Sequence, residues 1–318
     1  MRVPDSKKLG TVLITDSGRG SAIAFIRSLG KRGWRVIAAD HDSLSPGFRS
    51  RYAADCMLYP DPRKNRDAFV EVLLNAAKEK AVDLIVPITD ETIYPLSHVR
   101  ERLDGVSRIA IAEQTALDLV TNKAKTLQLA KELDIPIPRT QAVRTVDEAC
   151  QVGQSLTWPV VLKPRSSRQY NDSYGGIDAW PVSYANDLAT LAEQMLFYEG
   201  RCEVLLQEYC RGVGYGVELL AYEGKPLAAF QHRRLAEVPV TGGASALRES
   251  TALSPDLYEY SLRLIQALRW TGLIMIEFKV GARVVLMEIN GRVWGSLPLA
   301  VFSGVDFPNL LAELYLGG

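Results

Sequence analysis

The segment Ile276–Arg292, IEFKVGARVVLMEINGR, consists of two apolar runs on either side of Gly281-Ala282. So short a spacer predicts a tight β-hairpin. If these two residues form the turn, Val280 lies opposite Arg283 and Glu277 lies opposite Leu286, and side chains alternate between the two faces of the hairpin. One predicted face is wholly apolar and carries Ile276, Phe278, Val280, Val285, Met287 and Ile289.

The other face of the predicted hairpin collects Glu277, Glu288 and Asn290. In this register the two glutamates are diagonal cross-strand neighbours, roughly 7–8 Å apart at the backbone, so their carboxylates can converge. Two carboxylates and an amide oxygen are hard ligands that suit Mg²⁺, which usually also takes phosphate oxygens and water. An amphipathic hairpin with a solvated acidic face is the alternative. The metal site is favoured because Gly291 and the cation Arg292 follow directly at the strand end.

The pattern E-x-N-x-R from Glu288 to Arg292, with an acid on the strand before it, resembles the metal-binding hairpin of the ATP-grasp superfamily. The wider run 204–316 is similar to one half of the carbamoyl-phosphate synthase large chain. The resemblance implies that Glu277, Glu288 and Asn290 bind the Mg²⁺ ions that bridge the phosphates of ATP, with Mn²⁺ as an alternative ion. It also implies that Arg292 steadies a phosphorylated intermediate.

The composition of the 318-residue chain predicts two or three globular domains and excludes several classes of partner. Lys and Arg total 37 and Asp and Glu total 37, so no global field recruits nucleic acid or an anionic membrane. No apolar run approaches the ~20 residues of a transmembrane span. The cysteines and histidines are scattered, which argues against a zinc site or a disulfide framework and favours a reducing cytoplasm. They are Cys56, Cys150, Cys202, Cys210, His41, His98 and His232.

The beginning of the chain has the pattern of a doubly wound sheet. The apolar strand Thr11–Asp16 precedes a glycine turn and a helical pattern that runs to Leu29, and Trp34–Asp40 is a second strand. Gly18 and Gly20 with Asp40 as a ribose-binding acid resemble a dinucleotide fingerprint. This makes an NAD(P)-dependent reductase of the short-chain type a rival interpretation. The imperfect third position of the fingerprint and the absence of any Tyr-x-x-x-Lys pair weigh against it.

The predicted fold class is α/β and α+β, with a Rossmann-like N-terminal domain before a two-lobed ATP-grasp fold. The N-terminal domain is expected over residues 1–113 and the ATP-grasp domain over residues 114–318. Within the latter, a lid lobe is expected at about 140–206 and a catalytic lobe at about 207–318. Thr89-Asp90-Glu91-Thr92 follows the buried strand Asp83–Ile88, where it predicts either a helix N-cap or a substrate-binding segment.

Two lysines are candidate phosphate ligands. Lys123 opens the predicted helix Lys123–Leu133, where a cation opposes the helix dipole. Lys163 lies near the end of the apolar strand Trp158–Pro164 and is only partly solvent-directed. The resemblance implies that Lys123 reaches the phosphates of ATP and that Lys163 binds the α-phosphate and adenine N7. The polar segment Arg165–Gly176, which ends in Gly175-Gly176, resembles the glycine-rich lid over the triphosphate.

The strand Val204–Tyr209 resembles the hinge between lid and body. The resemblance implies that Gln207, Glu208 and Tyr209 line the adenine pocket, largely through backbone groups. The acid that usually grips the ribose aligns with Gly216 in this chain. Glu218, two residues further, points to the same side of a strand and is the candidate substitute.

Further along, His232-Arg233-Arg234 is followed by Val240–Ser250, which contains Thr-Gly-Gly and Arg248. A solvated strand end is one interpretation of the basic triplet. An anion-facing loop is the other, since small residues let the backbone approach an acyl phosphate and arginine offers planar, bidentate donors. Arg248 is therefore a second candidate for stabilising the intermediate.

The resemblance implies an ATP-dependent ligase. ATP phosphorylates a carboxylate or bicarbonate, and an amine or related nucleophile then displaces phosphate. Positioning and charge neutralisation carry the catalysis, as is general for phosphoryl transfer. The expected partners are small-molecule carboxylate and amine substrates, and a homodimer is common in such proteins. A non-catalytic ATP-binding regulator is the alternative.

Overall fold

The computed structural model describes residues 9–166, 168–171, 176–238 and 244–317. The predicted lid glycine Gly175 and residues 240–243 of the predicted anion-facing loop lie outside the described residues. Within the described ranges, no helix combines the length and the apolar character needed to cross a lipid bilayer.

The N-terminal lobe is built on a parallel sheet with the strand order β3-β2-β1-β4-β5. Its strands are β1 (Thr11–Ile14), β2 (Arg35–Asp40), β3 (Asp55–Leu58), β4 (Leu84–Val86) and β5 (Arg108–Ile109). Its helices are α1 (Gly20–Lys31), α2 (Arg66–Glu79) and α3 (Asp90–Ser97), with short 3₁₀ turns at Pro46–Arg49 and Arg100–Leu103. Because β1 pairs in parallel with both β2 and β4, the strand order reverses there, and ligands of such sheets bind at the carboxyl ends of the neighbouring strands.

The lid lobe is an antiparallel sheet in the order β10-β7-β11-β6, with its own apolar core. Helices α4 (Gln114–Thr121) and α5 (Lys123–Glu132) lead into it, and β8 (Arg168–Asn171) and β9 (Gly176–Ala179) form a separate hairpin. The sheet strands are β6 (Thr140–Val143), β7 (Val160–Pro164), β10 (Ser183–Ala185) and β11 (Val204–Glu208). Helices α6 (Val146–Gly153) and α7 (Leu188–Leu196) cover it, and α6 begins with a capping box between Thr145 and Glu148.

The C-terminal lobe contains the antiparallel sheet that carries the central hairpin, in the order β14-β13-β12-β15-β16. The strands are β12 (Val213–Tyr222), β13 (Lys225–Val238), β14 (Ala244–Thr251), β15 (Gly272–Val280) and β16 (Val284–Asn290). Helix α8 (Pro255–Ala267) packs on the apolar face, and α9 (Leu297–Phe302) and α10 (Phe307–Leu316) follow the hairpin.

The last two helices return to the N-terminal lobe and share its core. Phe307 and Leu311 belong to the same buried cluster as Val12 and Phe25 of the first β-α unit. The predicted α/β fold, with a Rossmann-like first lobe and a two-lobed remainder, is confirmed. The boundary at residue 113 stays a prediction.

The register of the central hairpin differs from the prediction. Val280 pairs with Val284, so the turn contains three residues rather than two, and this shifts the pairing by one. A bulge at Met287 then adds a second shift of one residue in the same direction, because Phe278 pairs with Leu286 while Glu277 pairs with Glu288. The apolar face therefore carries Val284 and Leu286 in place of the predicted Val285 and Met287. The two glutamates lie directly opposite one another and not on a diagonal.

The basic triplet 232–234 lies inside β13, and the prediction of a loop there was wrong. Arg233 pairs with Tyr215 on one side and with Glu249 on the other, so the strand continues through the triplet between two neighbours. Most of the remaining predicted loop is strand β14. These pairings join residues far apart in sequence, which local composition does not reveal.

Candidate active site

One face of the C-terminal sheet is polar and brings the predicted site residues together. Residues paired across neighbouring strands lie on the same face, and Gly216, Glu277 and Glu288 form one such row across β12, β15 and β16. His232 of β13 continues the row beyond Gly216. The strand alternation that makes the opposite face apolar thus gathers this polar set at the centre of the sheet.

The three predicted metal ligands are neighbours. Asn290 Nδ2 donates to Glu277 Oε1 at 3.1 Å, and Glu277 and Glu288 face each other across the hairpin. Glu277 also accepts a hydrogen bond from Arg234, and Glu288 Oε1 lies 3.5 Å from Lys123 Nζ. Each carboxylate is therefore held by one cation of the chain.

The two carboxylates differ in their electrostatics. Burial raises the pKa of Glu277 against the opposing effect of Arg234, and the charge of Glu288 raises it further. Burial also acts on Glu288, but Lys123 and Lys163 hold the pKa of Glu288 below its usual range. Two carboxylates that face each other across a hairpin repel each other, and a divalent cation between them would relieve the repulsion.

The donor set fits Mg²⁺ better than a transition metal. Among the residues that the structure describes, no group of three or more His, Cys, Asp or Glu side chains is arranged to hold a metal ion. Two glutamates and one amide oxygen leave coordination positions for water and phosphate oxygens, which is how Mg²⁺ is usually bound. The set contains neither the thiolates nor the imidazoles typical of zinc sites.

The two lysines approach the acidic pair from two different elements on the lid side. Lys123 is the first residue of α5, behind its N-cap Asn122, and is largely buried. Lys163 extends from β7 into a narrow space that it shares with Gln207 and Met287. Burial lowers the pKa of Lys163, and the charge of Glu288 opposes this shift. Its ammonium has no hydrogen bond or ion pair within the described ranges, so an anionic ligand would supply a missing partner.

The hinge residues are close to Lys163. Gln207 is buried and its Nε2 donates to Thr140 Oγ1 at 2.9 Å, whereas its buried Oε1 has no partner in the described part of the chain. Glu208 accepts from the backbone of Arg139 at 2.8 Å and forms an ion pair with Arg283 in the hairpin turn. This contact links the lid strand to the metal hairpin.

Tyr209 continues the hinge beyond Glu208. Its ring lies edge-on to Tyr184 of the lid, with 6.3 Å between the ring centroids. A contact of Gln207, Glu208 or Tyr209 with adenine stays a prediction, as does any contact of Gly176, the first residue of β9, with phosphate.

Arg292 connects the metal hairpin to the N-terminal lobe. Its Nε donates to Asp90 Oδ2 at 3.0 Å. Burial alone would lower the pKa of Arg292, but Asp90 and Glu288 raise it, so the guanidinium stays charged. Arg292 therefore offers a fixed cation beside Glu288, consistent with the role that the resemblance implies.

The stretch 89–92 forms a helix cap and also contacts the site. Thr89 caps α3 in a capping box with Thr92. The next two side chains form ion pairs with other lobes: Asp90 with Arg292, and Glu91 with Arg168 of the lid hairpin at 3.0 Å. The helix-cap interpretation is therefore confirmed, and substrate binding by this stretch stays a prediction.

Arg248 and Arg234 lie side by side on the polar face, since their strands pair at these positions. Arg248 forms no hydrogen bond or ion pair with any described residue, which leaves its guanidinium available to an anion. Arg234, which donates to Glu277 and Glu237, was not singled out as an individual site residue from the sequence. Had the strand been extended through the basic triplet, the two-residue spacing of Arg234 from His232 would have placed both side chains on the same face and identified Arg234.

Glu218 lies on the same face as Gly216, as predicted, but its carboxylate is wholly buried. Oε1 accepts from His232 Nδ1 at 2.8 Å and from Ser296 Oγ at 2.7 Å. The placement gives no support to ribose binding by Glu218, and that assignment stays a prediction.

Asp40, the acid of the dinucleotide fingerprint, accepts hydrogen bonds from the glycine turn that it follows in the fingerprint. Asp40 Oδ2 accepts from the backbone N–H of Gly18 and from Ser45 Oγ, both at 2.8 Å, and the side chain is buried. A carboxylate used in this way is withdrawn from a ribose, which weighs against the reductase interpretation.

A cleft of about 810 Å³ opens beside the metal face, between α3, α4 and the lid. Glu288 and Asn290 line one end of it, and Ile93, Tyr94 and Leu117 provide an apolar wall. The cleft therefore joins the acidic pair to a space large enough for a small organic molecule.

Two family models match the chain. Residues 201–318 match the model described as ATP-grasp in the biosynthetic pathway with Ter operon. Residues 12–109 match the PylC-like, N-terminal domain model. The first match contains the whole C-terminal sheet, so it covers the hairpin from which the resemblance was drawn.

The chain is also similar to known ligases. It is 29% identical over 217 residues to the carbamoyl phosphate synthase large chain of Thermomicrobium roseum, covering 64% of this chain and 19% of that one. The chain thus spans about a fifth of the length of that relative. Biotin carboxylase from Campylobacter jejuni superposes with a TM-score of 0.76 at 16% identity, covering 98% of this chain and 71% of that one. L-Amino acid ligase from Bacillus licheniformis gives 0.74 at 14% identity, with 98% and 75% covered. The resemblance to the ATP-grasp superfamily is confirmed.

Proposed function

Because this chain is an ATP-grasp protein similar to carbamoyl phosphate synthase large chains, we propose that it is an ATP-dependent ligase joining a carboxylate to an amine. The observation that carries the proposal is the convergence of Glu277, Glu288 and Asn290 with cations from the lid side and from the C-terminal lobe. Lys123 and Lys163 approach this acidic face from the lid side, and Arg292 approaches it at the junction with α3. Such an array suits a polyphosphate bound with a divalent cation.

The proposed reaction has two steps. In the first, an oxygen of the carboxylate attacks the γ-phosphorus of ATP, the bond from that phosphorus to the ADP oxygen breaks, and an acyl phosphate forms. In the second, the amine attacks the acyl carbon, phosphate leaves and the amine proton passes to solvent. No residue forms a covalent intermediate, so the chain contributes positioning and charge.

The residues divide this work among them. Lys123 and Lys163 bind phosphate oxygens, Arg292 and Arg248 stabilise the charge of the acyl phosphate, and α3 fixes Arg292 through Asp90. Mg²⁺, or Mn²⁺, held by Glu277, Glu288 and Asn290 would neutralise charge between the nucleotide phosphates.

The cleft supports an organic carboxylate over bicarbonate as the substrate. Its volume of about 810 Å³ and its apolar wall at Ile93, Tyr94 and Leu117 offer more space and more apolar surface than bicarbonate would use. Among the structures with this fold, the L-amino acid ligase is named for an organic acid substrate. We therefore propose that the apolar wall binds the body of the carboxylate while its reacting end faces Glu288.

The proposal is tested with the purified chain in two assays. Mg-ADP is expected to raise the melting temperature, whereas NADPH is not, because the fingerprint acid is used inside its own turn. ADP release is then measured across pairs of carboxylic acids and amines, with each acid alone and each amine alone as controls. Release that needs one acid and one amine supports the ligase. Nucleotide binding without release for any pair would overturn the catalytic proposal and favour the non-catalytic regulator. No stabilisation by Mg-ADP would overturn nucleotide binding itself.

A further inference from the structure

The imidazole of His232 occupies the space that a side chain at position 216 would fill. A Cβ built on Gly216 would overlap His232 Cε1 and would come within 3.0 Å of Nδ1 and 3.2 Å of Nε2. Gly216 pairs with His232 on one side and with Glu277 on the other. The imidazole therefore lies over the residue next to Glu277, and glycine at 216 is what admits it.

The ring is fixed by two buried groups. His232 Nδ1 donates to Glu218 Oε1 at 2.8 Å, and Ser296 Oγ donates to the same oxygen at 2.7 Å. His232 is 1% exposed and Glu218 is 0% exposed. Because a carboxylate only accepts hydrogen bonds, Nδ1 carries a hydrogen, and this contact determines the orientation of Nε2. Nε2 accepts from a hydroxyl group when the ring is neutral and donates to a phosphate oxygen when the ring is protonated.

The hydrogen bonding of this pair is incomplete. Nε2 of His232 has no hydrogen-bond partner among the described residues, and Glu218 Oε2 is buried there without one. Buried polar atoms in native proteins nearly always have a partner, so the unsatisfied Oε2 indicates a group beside this pair that is not part of the chain. Nε2 is not among the fully buried atoms without a partner, so it retains the exposure that a contact with such a group requires.

The position of His232 and Glu218 in the sheet favours the nucleotide, and not the acceptor substrate, as the ligand that contacts His232. The residues that line the cleft beside α3 include Glu288 and Asn290 of β16 but neither His232 nor Gly216. His232 lies three strands away from β16, on the far side of Glu277. A molecule that contacts it must extend across the sheet from the acidic pair, which a nucleotide bound through its phosphates is long enough to do.

We propose that His232 is a nucleotide-binding residue whose Nε2 hydrogen-bonds an oxygen of the bound nucleotide, either a ribose hydroxyl or a phosphate oxygen. Glu218 and Ser296 act through it as positioning residues. The proposal rests on the proposed function, since it requires a nucleotide on the polar face, and it assigns to His232 the contact that the missing acid at position 216 does not make.

The test is the affinity for Mg-ADP, measured by titration calorimetry so that no turnover is needed. In His232→Asn the amide keeps a donor for Glu218 and removes Nε2. We expect a melting temperature near that of the wild type and a Kd raised about tenfold, the effect of one lost hydrogen bond of about 1.4 kcal/mol. His98→Asn, at the exposed end of α3, is the matched control and is expected to bind as the wild type does.

Gly216→Ala provides a second and independent variant. The added methyl displaces the imidazole without removing any hydrogen-bonding group, so the Kd for Mg-ADP is expected to rise here too. Gly20→Ala is its control, because no described atom lies within 4 Å of the added methyl. If Gly216→Ala fails to fold, His232→Asn alone decides.

Titration with Mg-2′-deoxy-ADP distinguishes the two oxygen sources. If His232 binds the 2′-hydroxyl of the ribose, the wild type prefers ADP and His232→Asn does not. If it binds the 3′-hydroxyl or a phosphate oxygen, the variant loses the same factor for both nucleotides. Unchanged affinity of His232→Asn for both nucleotides would overturn the proposal, whatever happens to stability. A wild type that binds no Mg-ADP would instead overturn the proposed function, and this proposal with it.

Discussion

At the scale of single residues, the site is a set of charges that are only partly matched within the chain. Glu277 and Glu288 face each other and are each contacted by one cation, Arg234 and Lys123. Lys163 makes no hydrogen bond or ion pair in the part of the chain that the structure describes, and burial lowers its pKa. A site that is complete only with a polyphosphate and a divalent cation would have these properties.

Glu288→Gln is expected to leave a folded protein that releases ADP about 100-fold more slowly or not at all, because the amide keeps the shape of the side chain and loses the charge that binds the metal. Glu249→Gln is the matched control, since Glu249 pairs with Arg233 on the opposite face of the same sheet. ADP release and the melting temperature are measured for both variants. Wild-type turnover in Glu288→Gln would refute the metal assignment.

Lys163→Met is expected to weaken Mg-ADP binding by about 1.5–3 kcal/mol, the contribution of a hydrogen bond to a charged group. The same change is expected to stabilise the unliganded protein. Because the folded-state pKa of Lys163 is lowered, folding disfavours its ammonium at neutral pH. This cost declines as pH rises through the folded pKa towards the unfolded value of about 10.4. The melting temperature of the variant should therefore exceed that of the wild type at pH 7, with a smaller difference at pH 10.

Lys225→Met is the control for this substitution, because Lys225 is an exposed lysine of β13. Calorimetry and thermal melts at the two pH values are expected to show no change in this variant. An affinity for Mg-ADP unchanged in Lys163→Met would remove Lys163 from the site.

Single residues were predictable from the sequence where a local pattern defines them. The spacing from Glu277 to Arg292 and the isolated lysine of an apolar strand named residues that the structure brings together. Arg234 and the pairing of Glu218 with His232 were not predictable, because these contacts depend on how β12 pairs with β13. Such pairing is set by the whole sheet.

At the scale of elements, the hairpin of β15 and β16 owes its geometry to its irregular positions. The three-residue turn and the bulge at Met287 each shift the register by one residue in the same direction, so the pairing at Glu277 and Glu288 is shifted by two. The sequence predicted the acidic pair without either irregularity, because both shifts together preserve which side chains share the polar face. The apolar face was assigned in part wrongly for the same reason.

Gly291 fixes the end of β16 against the body of the protein. A methyl group there would come within 2.6 Å of Trp270 and 2.8 Å of Val120. Gly291→Ala is expected to lower the free energy of unfolding by about 1–3 kcal/mol, as overpacking does, and to move Asn290 and Arg292 on either side of it. Gly295→Ala is the control, with no described atom within 4 Å of its added methyl. Urea denaturation measures both, and equal stability of the two variants would contradict this account.

At the scale of the whole molecule, the N-terminal and C-terminal lobes are one packed unit and the lid is the separate body. The helices after the hairpin share a core with the first β-α unit, and Trp34 donates to Asn309 across the junction. The lid has its own core and touches this unit through polar contacts such as Glu91 with Arg168. The sequence predicted the order of the lobes, but a core shared between residues some 300 positions apart was beyond any local pattern.

The ion pair of Glu91 with Arg168 is expected to hold the lid hairpin against α3. Glu91→Gln should increase hydrogen exchange at residues 176–179 of the lid hairpin. The free energy that holds the hairpin against α3 should fall by at most about 1 kcal/mol, since Arg168 is partly exposed. Glu71→Gln is the control, because Glu71 pairs with Arg102 within the N-terminal lobe. If hydrogen exchange in the lid hairpin is the same in Glu91→Gln as in the wild type, the ion pair does not restrain the lid.

The most direct test of the central claim is a crystal structure of this chain with Mg²⁺ and a non-hydrolysable ATP analogue. We expect a cation between Glu277, Glu288 and Asn290, at the 2.0–2.1 Å typical of Mg²⁺, with its remaining ligands from phosphate and water. A nucleotide bound elsewhere, or a polar face that turns to solvent and holds no cation, would contradict it.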